Sequence, residues 1–416
     1  MADQGGSQHG IARTSRARTE EQRLNDLDRI KKYGELERQV RARAAAQGDY
    51  SAEVLQLTGK LLRLNPEYYT IWNARRRSLI CGLSSRPSAG SSCSRACSST
   101  TPSGTTTTSS ANSSSSCSTA TPRSPGRRTA GTSGTTADDD DAASHDLEML
   151  KSELRFTIPL LLDAPKCYWI WSYRLWILRQ ATERLRPAVA RRIWEEELGL
   201  ASKMLGKDRR NFHAWGYRRH VVAQLESAAL AGGSMAAAEF AYTDRMIKMD
   251  LSNFSAWHSR SRLIPRLLDE RGADDTARRA FLDSELNTIR NAINVGPEDQ
   301  SLWYYHQFLM LGLVTPEGRA AIAPALALAD RVAYVTREIG EIKELLEDYE
   351  DEKLIYEGLF DYTLYLCRLE NRQPNSDERA GLVEWLGKLR RLDPMRNGRW
   401  ADLERDCGLK EGREGE

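Results

Sequence analysis

The chain has 416 residues, and its 60 lysines and arginines against 58 aspartates and glutamates leave a formal net charge of only +2. Nucleic-acid binding is driven mainly by phosphate neutralisation, so this balance gives no electrostatic case for a nucleic-acid partner. No stretch approaches the roughly 18 apolar residues that span a bilayer, and the polar, basic start of the chain does not resemble a secretory signal. Seven dispersed cysteines without a CxxC pair indicate reduced thiols, so we expect a soluble, cytoplasmic protein.

The first part of the chain reads as a tail followed by helices. Residues 1–20 are expected to form a flexible tail, and the charged stretch from Glu20 to about Ala46 suits an exposed helix. Ser51 is a good N-cap for the next helix, whose apolar residues recur at spacings of three and four. Pro66 then breaks this helix, because proline disfavours helical backbone in the residue before it, and suits the opening of the following helix.

A low-complexity segment follows these N-terminal helices and the first repeat, which together occupy residues 21–83. Residues 84–143 are rich in Ser and Thr, end in the acidic run Asp138–Asp141, and have almost no large apolar side chain. Such a segment cannot bury enough surface to offset its ordering entropy, so we expect it to be disordered. A genuine insert and an error in the gene model would look alike. The remaining repeats are assigned to residues 144–408, with a C-terminal tail at 409–416.

Beyond the insert, helical periodicity recurs and no useful strand pattern is found. Apolar residues advance by three and four between Leu147 and Leu161, with Pro159 expected to kink that helix. Further helices are predicted, in chain order, at 191–205, 236–249 and 278–294, then a helix pair at 339–367 and a degenerate repeat at 386–403 containing Trp400. The fold class is therefore all-α.

A tryptophan motif recurs five times along this helical sequence. Each tryptophan comes six residues after a turn position and three before a basic residue, and in four of the five it comes three after an aromatic residue. The successive tryptophans are 99, 44, 42 and 46 residues apart, and the 60-residue insert accounts for the long gap. The pairs of tryptophan and basic residue are Trp72 with Arg75, Trp171 with Arg174, Trp215 with Arg218, Trp257 with Arg260, and Trp303 with His306. A fixed period of this size indicates one helical hairpin stacked repeatedly.

These repeated residues are interpreted as structural. Positions three apart are neighbours on a helix, so each tryptophan should lie beside its arginine. We expect the indole to fill the seam between hairpins, and the guanidinium to stack on it or to bind nearby helix-end carbonyls.

The pattern of turn, aromatic, Trp and Arg resembles the repeat of protein prenyltransferase α subunits over residues 60–310 apart from the insert, and more weakly to about 408. Tetratricopeptide repeats differ in period, which is about 34, and in signature. Residues 211–219 and 299–306 are most similar to the Rab geranylgeranyltransferase (type II) branch, and Thr19–Gln22 agrees. The chain lacks the immunoglobulin-like and leucine-rich patterns of the animal members, so it resembles the compact fungal type.

This resemblance implies a right-handed superhelical α-solenoid of helical hairpins paired with a separate β subunit. The β subunit would carry the zinc and most of the isoprenoid pocket, and this chain alone would bind no metal or cofactor and would not be catalytic. The heterodimer would transfer geranylgeranyl from geranylgeranyl diphosphate, bound at the subunit interface, to C-terminal cysteines of Rab GTPases presented by an escort protein.

Three residues are candidates for the site on this basis. In the family, the lysine that corresponds to Lys166 points across the subunit interface toward the substrate diphosphate, where it would stabilise charge on the leaving group. Tyr168 and His213 correspond to positions near the same interface. Tyr168 also fills the aromatic position of its repeat, so packing is the favoured reading for it.

Two alternatives remain open from the sequence. One is the α subunit shared by farnesyltransferase and geranylgeranyltransferase type I, which acts on CaaX proteins. The other is a free-standing helical-repeat scaffold that binds proteins without any role in prenylation. Glu341–Glu352 could be an exposed helix face or an escort-protein docking surface, and His9 resembles a residue of the N-terminus of Rab-type subunits.

Overall fold

The computed structural model describes residues 19–46, 49–83, 135–315 and 321–409, and in these ranges the chain is helical throughout and has no strand. The chain forms two compact units, residues 1–193 and residues 194–416. The first unit contains α1 (Glu20–Val40), a π-helical turn (Arg41–Ala46), α2 (Ala52–Leu64), α3 (Tyr69–Gly82), α4 (Thr135–Asp163), α5 (Tyr168–Arg184) and the start of α6 (Pro187–Lys207).

The second unit continues from within α6. Its helices are α7 (Phe212–Leu225), α8 (Ala236–Met249), α9 (Phe254–Glu270), α10 (Asp275–Val295), α11 (Gln300–Val314), α12 (Leu328–Glu344), α13 (Lys353–Leu369), α14 (Ser376–Leu392) and α15 (Asn397–Asp406). Short 3₁₀ turns lie at Ala228–Leu230, Leu345–Glu347 and Pro394–Arg396.

Neighbouring helices pack in hairpins, which are α2–α3 and α4–α5 in the first unit, and α8–α9, α10–α11, α12–α13 and α14–α15 in the second. Side-chain caps begin many of them. Ser51 caps α2 as predicted, Asn211 accepts a hydrogen bond from the Ala214 amide at the start of α7 (3.1 Å), and Asn253 caps α9 in the same way. These caps satisfy amides that have no partner inside the helix, and so they help to fix where α2, α7 and α9 begin.

Several predicted boundaries agree with the structure and some differ. α8 has the predicted bounds and α1 begins at Glu20, but α12 begins at Leu328 instead of Ile339. α4 begins at Thr135, inside the range 84–143 assigned to the insert. The insert was assigned from its lack of large apolar residues, and a polar extension of a helix also lacks them. Residues 84–134 of that insert, and His9, lie outside the described residues.

The repeat tryptophans are buried and bind the turn that precedes their helix. All five are buried, with at most 6 % of the side chain exposed. Each indole Nε1 donates to the backbone carbonyl six residues earlier, at 2.7–2.9 Å, and the acceptors are Pro66, Pro165, Arg209, Leu251 and Pro297. The turn proline therefore does not open the second helix; it lies in the turn, which the indole ties to that helix.

Candidate functional site

Buried ion pairs connect neighbouring hairpins within each of the two units. The guanidinium of Arg75 binds both carboxylate oxygens of Glu153 at 2.7 Å, within the first unit. Arg260 binds Glu285 in the same bidentate way, at 2.8 and 2.6 Å. All four side chains are almost fully buried. Such charge-assisted, paired hydrogen bonds fix both distance and orientation, so they set the register between hairpins.

Two further repeats of the second unit contain a buried pair of the same kind. Arg218 pairs with Glu239, and His306, in the arginine position of the fifth repeat, lies 3.1 Å from Glu338 and 2.8 Å from the Tyr362 hydroxyl. Burial acts to raise the pKa of Glu338, but the hydrogen bond from His306 and the nearby arginines lower it overall. The fifth repeat thus keeps a buried contact with a glutamate of the next hairpin, although a histidine replaces the arginine.

Arg75 and Arg260 lie over rings of neighbouring helices and not over their own tryptophans, which was one of the two arrangements expected from the sequence. Arg75 lies over the ring of Phe156 at 3.9 Å, and Arg260 lies over Phe240 at 3.9 Å. Arg75 also donates to the Leu55 carbonyl at 2.7 Å. Each guanidinium reaches toward a neighbouring helix because a carboxylate and an aromatic face there satisfy it better than the adjacent indole would.

Sequence reasoning missed the acidic half of this network, although a signal exists. A glutamate precedes the tryptophan by 18 residues in four of the repeats, at Glu153, Glu197, Glu239 and Glu285. Three of these carboxylates also accept a hydrogen bond from a tyrosine 20 residues later, with Tyr173, Tyr217 and Tyr305 as the donors. These residues build the repeat scaffold that carries the site.

The aromatic position of the repeat is exposed and does not belong to the core. Tyr69, Tyr168, Phe212 and Phe254 are each the first residue of a second helix, α3, α5, α7 and α9. Their side chains are 48 %, 55 %, 72 % and 49 % exposed. Tyr168 is therefore not part of the buried core, although its ring does pack on the surface against Trp169. Exposed aromatic residues of this kind commonly mark binding surfaces.

Lys166 and Tyr168 both lie at the start of α5 in the first unit. Lys166 is exposed in the turn between α4 and α5. The Tyr168 ring packs edge-on against Trp169, with centroids 5.0 Å apart, and Trp169 also contacts Tyr69 at 4.4 Å. Lys166 thus precedes this group of aromatic residues by two positions in the same turn.

His213 occupies the start of α7 in the second unit. Its ring is half-buried and packs edge-on against Phe212, with centroids 5.7 Å apart. Thr70, Trp169, Ser255 and Ser301 hold the same place in the other repeats.

The model of the "Protein prenyltransferase alpha subunit repeat" family matches residues 51–79, 150–181, 194–225, 236–267 and 282–313. Each matched segment contains one repeat tryptophan. The chain belongs to this family. As a prenyltransferase α-subunit repeat protein, it has a β subunit as its implied partner.

Named relatives agree with this assignment. The geranylgeranyl transferase type-2 subunit alpha of Candida albicans is 28 % identical over 95 % of this chain and 97 % of its own length. The subunit of the same name from Saccharomyces cerevisiae is 29 % identical over 71 % of this chain and 70 % of its own length. The solved complex of Candida albicans protein geranylgeranyltransferase-I with GGPP contains a chain with a TM-score of 0.50 and 19 % identity, covering 98 % of this chain and 100 % of that one. The last likeness concerns the fold alone.

Neither a metal cluster nor a membrane helix is found in the described parts of this prenyltransferase α-subunit chain. No group of three or more His, Cys, Asp or Glu residues there could hold a metal ion. No helix there is long and apolar enough to cross a membrane.

A polar cavity of about 110 Å³ lies between α11, α13 and α15 in the second unit. Asp361 lines it, and among the residues that the structure describes its carboxylate accepts one hydrogen bond, a long one from Gln307 Nε2 at 3.4 Å. Burial, together with the negative charge of Glu357 and against the attraction of Arg399, raises the pKa of Asp361 to about 6. The ionised carboxylate is therefore poorly compensated at neutral pH.

We expect Asp361→Asn to stabilise the protein at neutral pH. The folded carboxyl holds its proton more tightly than an unfolded one, whose pKa is about 3.9, so this contribution to stability is fully present below about pH 4 and is lost as pH rises through about 6. The variant should gain about 1–2 kcal/mol at pH 7.5 and nothing at pH 4. Urea unfolding at both pH values measures this, with exposed Asp348→Asn as the control. An equal effect at both pH values would rule out the titration.

Proposed function

We propose that the chain acts as the α subunit of a type-2 geranylgeranyltransferase, which transfers geranylgeranyl from its diphosphate to C-terminal cysteines of Rab GTPases. The observation that carries this proposal is the nearly end-to-end match to the Candida albicans type-2 α subunit. The likeness to the type-I complex is one of fold only, so it does not favour the CaaX alternative.

In this proposal, this chain and the β subunit each supply groups for the transfer reaction. The ammonium of Lys166 would contact the diphosphate across the subunit interface and stabilise the negative charge that develops as the diphosphate leaves. Tyr168 and His213 would line the same interface, where an aromatic edge and an imidazole can orient diphosphate oxygens or the isoprenoid. Zinc would belong to the β subunit and would bind the acceptor thiolate, which it holds in its deprotonated, nucleophilic form.

Escort protein and Rab would be further partners. Glu341–Glu352 is an acidic segment at the end of α12, and Tyr349 within it is 37 % exposed. Its charge and the half-exposed Leu345 and Leu346 suit a docking surface for an escort protein. The work of such a complex on Rab GTPases would place it in the cytoplasm.

Co-expression with candidate β subunits tests this function. We expect the chain to co-purify with a type-2 β subunit and the pair to prenylate Rab only when escort protein is added. The matched arm uses a farnesyltransferase-type β subunit and a CaaX protein. Transfer to the CaaX protein would move the chain to the sister class, and the absence of any β complex would leave a helical scaffold.

A further inference from the structure

The polar cavity between α11, α13 and α15 is lined by charged and hydrogen-bonding groups from all three helices. α13 contributes the carboxylates of Glu357 and Asp361, which are four residues apart and therefore lie on one side of that helix. Three helices thus meet around Asp361. The other titratable, charged or amide groups around it are Gln300, Tyr304 and Gln307 of α11, Tyr362 and Tyr365 of α13, Arg396 just before α15, Arg399 within α15, and Cys407 just after it.

Asp361 has one potential partner on each of the two neighbouring helices. On α11, Gln307 Nε2 donates to Asp361 Oδ2 over 3.4 Å, which is long for a hydrogen bond. On α15, the charge of Arg399 attracts the Asp361 carboxylate, but one nitrogen of that guanidinium lies 3.3 Å from Glu357 Oε2. Asp361 is therefore held loosely from both sides, and a small shift of its side chain or of a partner would strengthen one contact over the other.

The cavity gives these side chains space to change partners. Its volume is about 110 Å³, whereas a close-packed core leaves few voids larger than a water molecule. Glu357 Oε1 is buried and accepts no hydrogen bond within the described ranges, and Arg396 Nη1 lies 3.8 Å away from it. Like charges four residues apart on a helix repel each other, so Glu357 and Asp361 compete for the same guanidinium groups. Arg399 can therefore serve either carboxylate.

The two protonation states of Asp361 favour different partners. A protonated carboxyl group has an O–H donor, which the Gln307 side-chain oxygen can accept once the amide has rotated. An ionised carboxylate has only acceptors and a negative charge, so the charge-assisted contact with Arg399 becomes the stronger one. Burial, together with the charge of Glu357 and against the attraction of Arg399, raises the pKa of Asp361 to about 6. The exchange of partners therefore falls between about pH 5 and pH 7.

We propose that Asp361 is a proton-operated switch, which binds α13 to α11 through Gln307 when it is protonated and binds α13 to α15 through Arg399 when it is ionised. The inference goes beyond the proposed function and does not depend on it, because every group involved belongs to this chain. Loss of a proton then shifts the population toward the state in which α15, and with it the C-terminal hairpin α14–α15, is held more firmly.

Amide hydrogen exchange of the full chain at pH 5 and pH 7.5 tests the switch, after correction for the intrinsic pH dependence of exchange. On acidification, we expect the protection of α11 around Gln307 to rise by about two- to tenfold, the range of one net hydrogen bond. Protection of α15 around Arg399 should fall by about two- to fivefold, because that ion pair is partly exposed. The opposite directions are the signature of an exchange of partners.

Four variants assign the response to its groups. Asp361→Asn cannot ionise, so it should show the acid pattern at both pH values, whereas the exposed Asp348→Asn should respond as the wild type does. Arg399→Gln should abolish only the response of α15, and Gln307→Leu only that of α11. Circular dichroism checks that each variant is folded.

Three results would overturn the inference. If α11 and α15 changed in the same direction in the wild type, the cause would be a change in global stability and not an exchange of partners. If neither helix responded to pH, no switch would exist. If Asp361→Asn kept the wild-type response, a different group would be titrating.

Discussion

Lys166→Ala is expected to lower kcat for geranylgeranyl transfer by about 100- to 1000-fold, the range seen when a single group that stabilises developing charge is removed. The heterodimer should remain intact, because Lys166 is exposed in the turn before α5 and its truncation leaves no cavity in the core. Single-turnover rates with preformed complex measure the chemical step separately from substrate binding. Lys166→Arg keeps the positive charge and should retain a larger part of the rate.

Arg210→Ala is the matched control for this prediction. Arg210 holds the same repeat position as Lys166, one residue after the turn position, and is also exposed. Its guanidinium is occupied by Asp250, at 3.1 and 3.2 Å. We expect the control to keep kcat within about twofold, since an exposed pair contributes little. Equal losses in both variants, or a wild-type rate for Lys166→Ala, would refute a specific role for Lys166 at the diphosphate.

The hairpin architecture follows closely from the sequence because its signal is local. Three- and four-residue apolar spacing predicted α8 with its observed bounds, and the recurrent tryptophans marked each hairpin. The reason for the six-residue interval between turn and tryptophan is geometric: the indole Nε1 must reach the turn carbonyl, as Trp257 reaches that of Leu251. The six-residue spacing in the sequence is a consequence of this hydrogen bond, but the spacing alone does not identify the bond.

The helix pair predicted after the fifth tryptophan motif follows the same repeat plan without a tryptophan. In α13 a tyrosine takes the place of the tryptophan: Tyr356 lies 18 residues after Glu338, and its hydroxyl donates to the Glu350 carbonyl six residues earlier, at 2.7 Å. Trp400 makes the corresponding bond to the Asp393 carbonyl at 2.9 Å. Tyr356 does not belong to the tryptophan pattern, because its hydroxyl takes the place of the indole N–H as the donor to the turn carbonyl.

The site could be predicted only in part. The exposure of Tyr168 depends on its place as the first residue of α5, which the motif alone does not specify. The Arg75–Glu153 pair joins residues 78 apart, so no local rule connects them. The substrate pocket itself, in the proposed function, would be completed by a second chain.

Glu285→Leu is expected to destabilise the second unit by about 3–5 kcal/mol, because it removes the bidentate partner of the buried Arg260 and leaves only the more distant carboxylate of Asp244, at 3.8 Å. Burial acts to lower the pKa of Arg260, but the hydrogen bond and charge of Glu285 raise it above its ordinary value. The substitution also removes the acceptor of the Tyr305 hydroxyl, which is itself buried. Urea unfolding of the full chain, followed by circular dichroism, measures the loss.

Asp330→Ala provides the contrast, since it breaks the exposed pair with Arg279 that also connects two helices, at 2.7 Å. That change should cost about 1 kcal/mol or less. The double variant Arg260→Met/Glu285→Leu should be much less destabilised than Glu285→Leu alone, because it removes the uncompensated charge and leaves an apolar contact. If Glu285→Leu cost no more than Asp330→Ala, the buried pairs would not be what holds successive hairpins in register. If the double variant instead lost as much stability as the single one, the lost bidentate hydrogen bonds, and not the penalty of an unpaired charge, would account for most of the destabilisation.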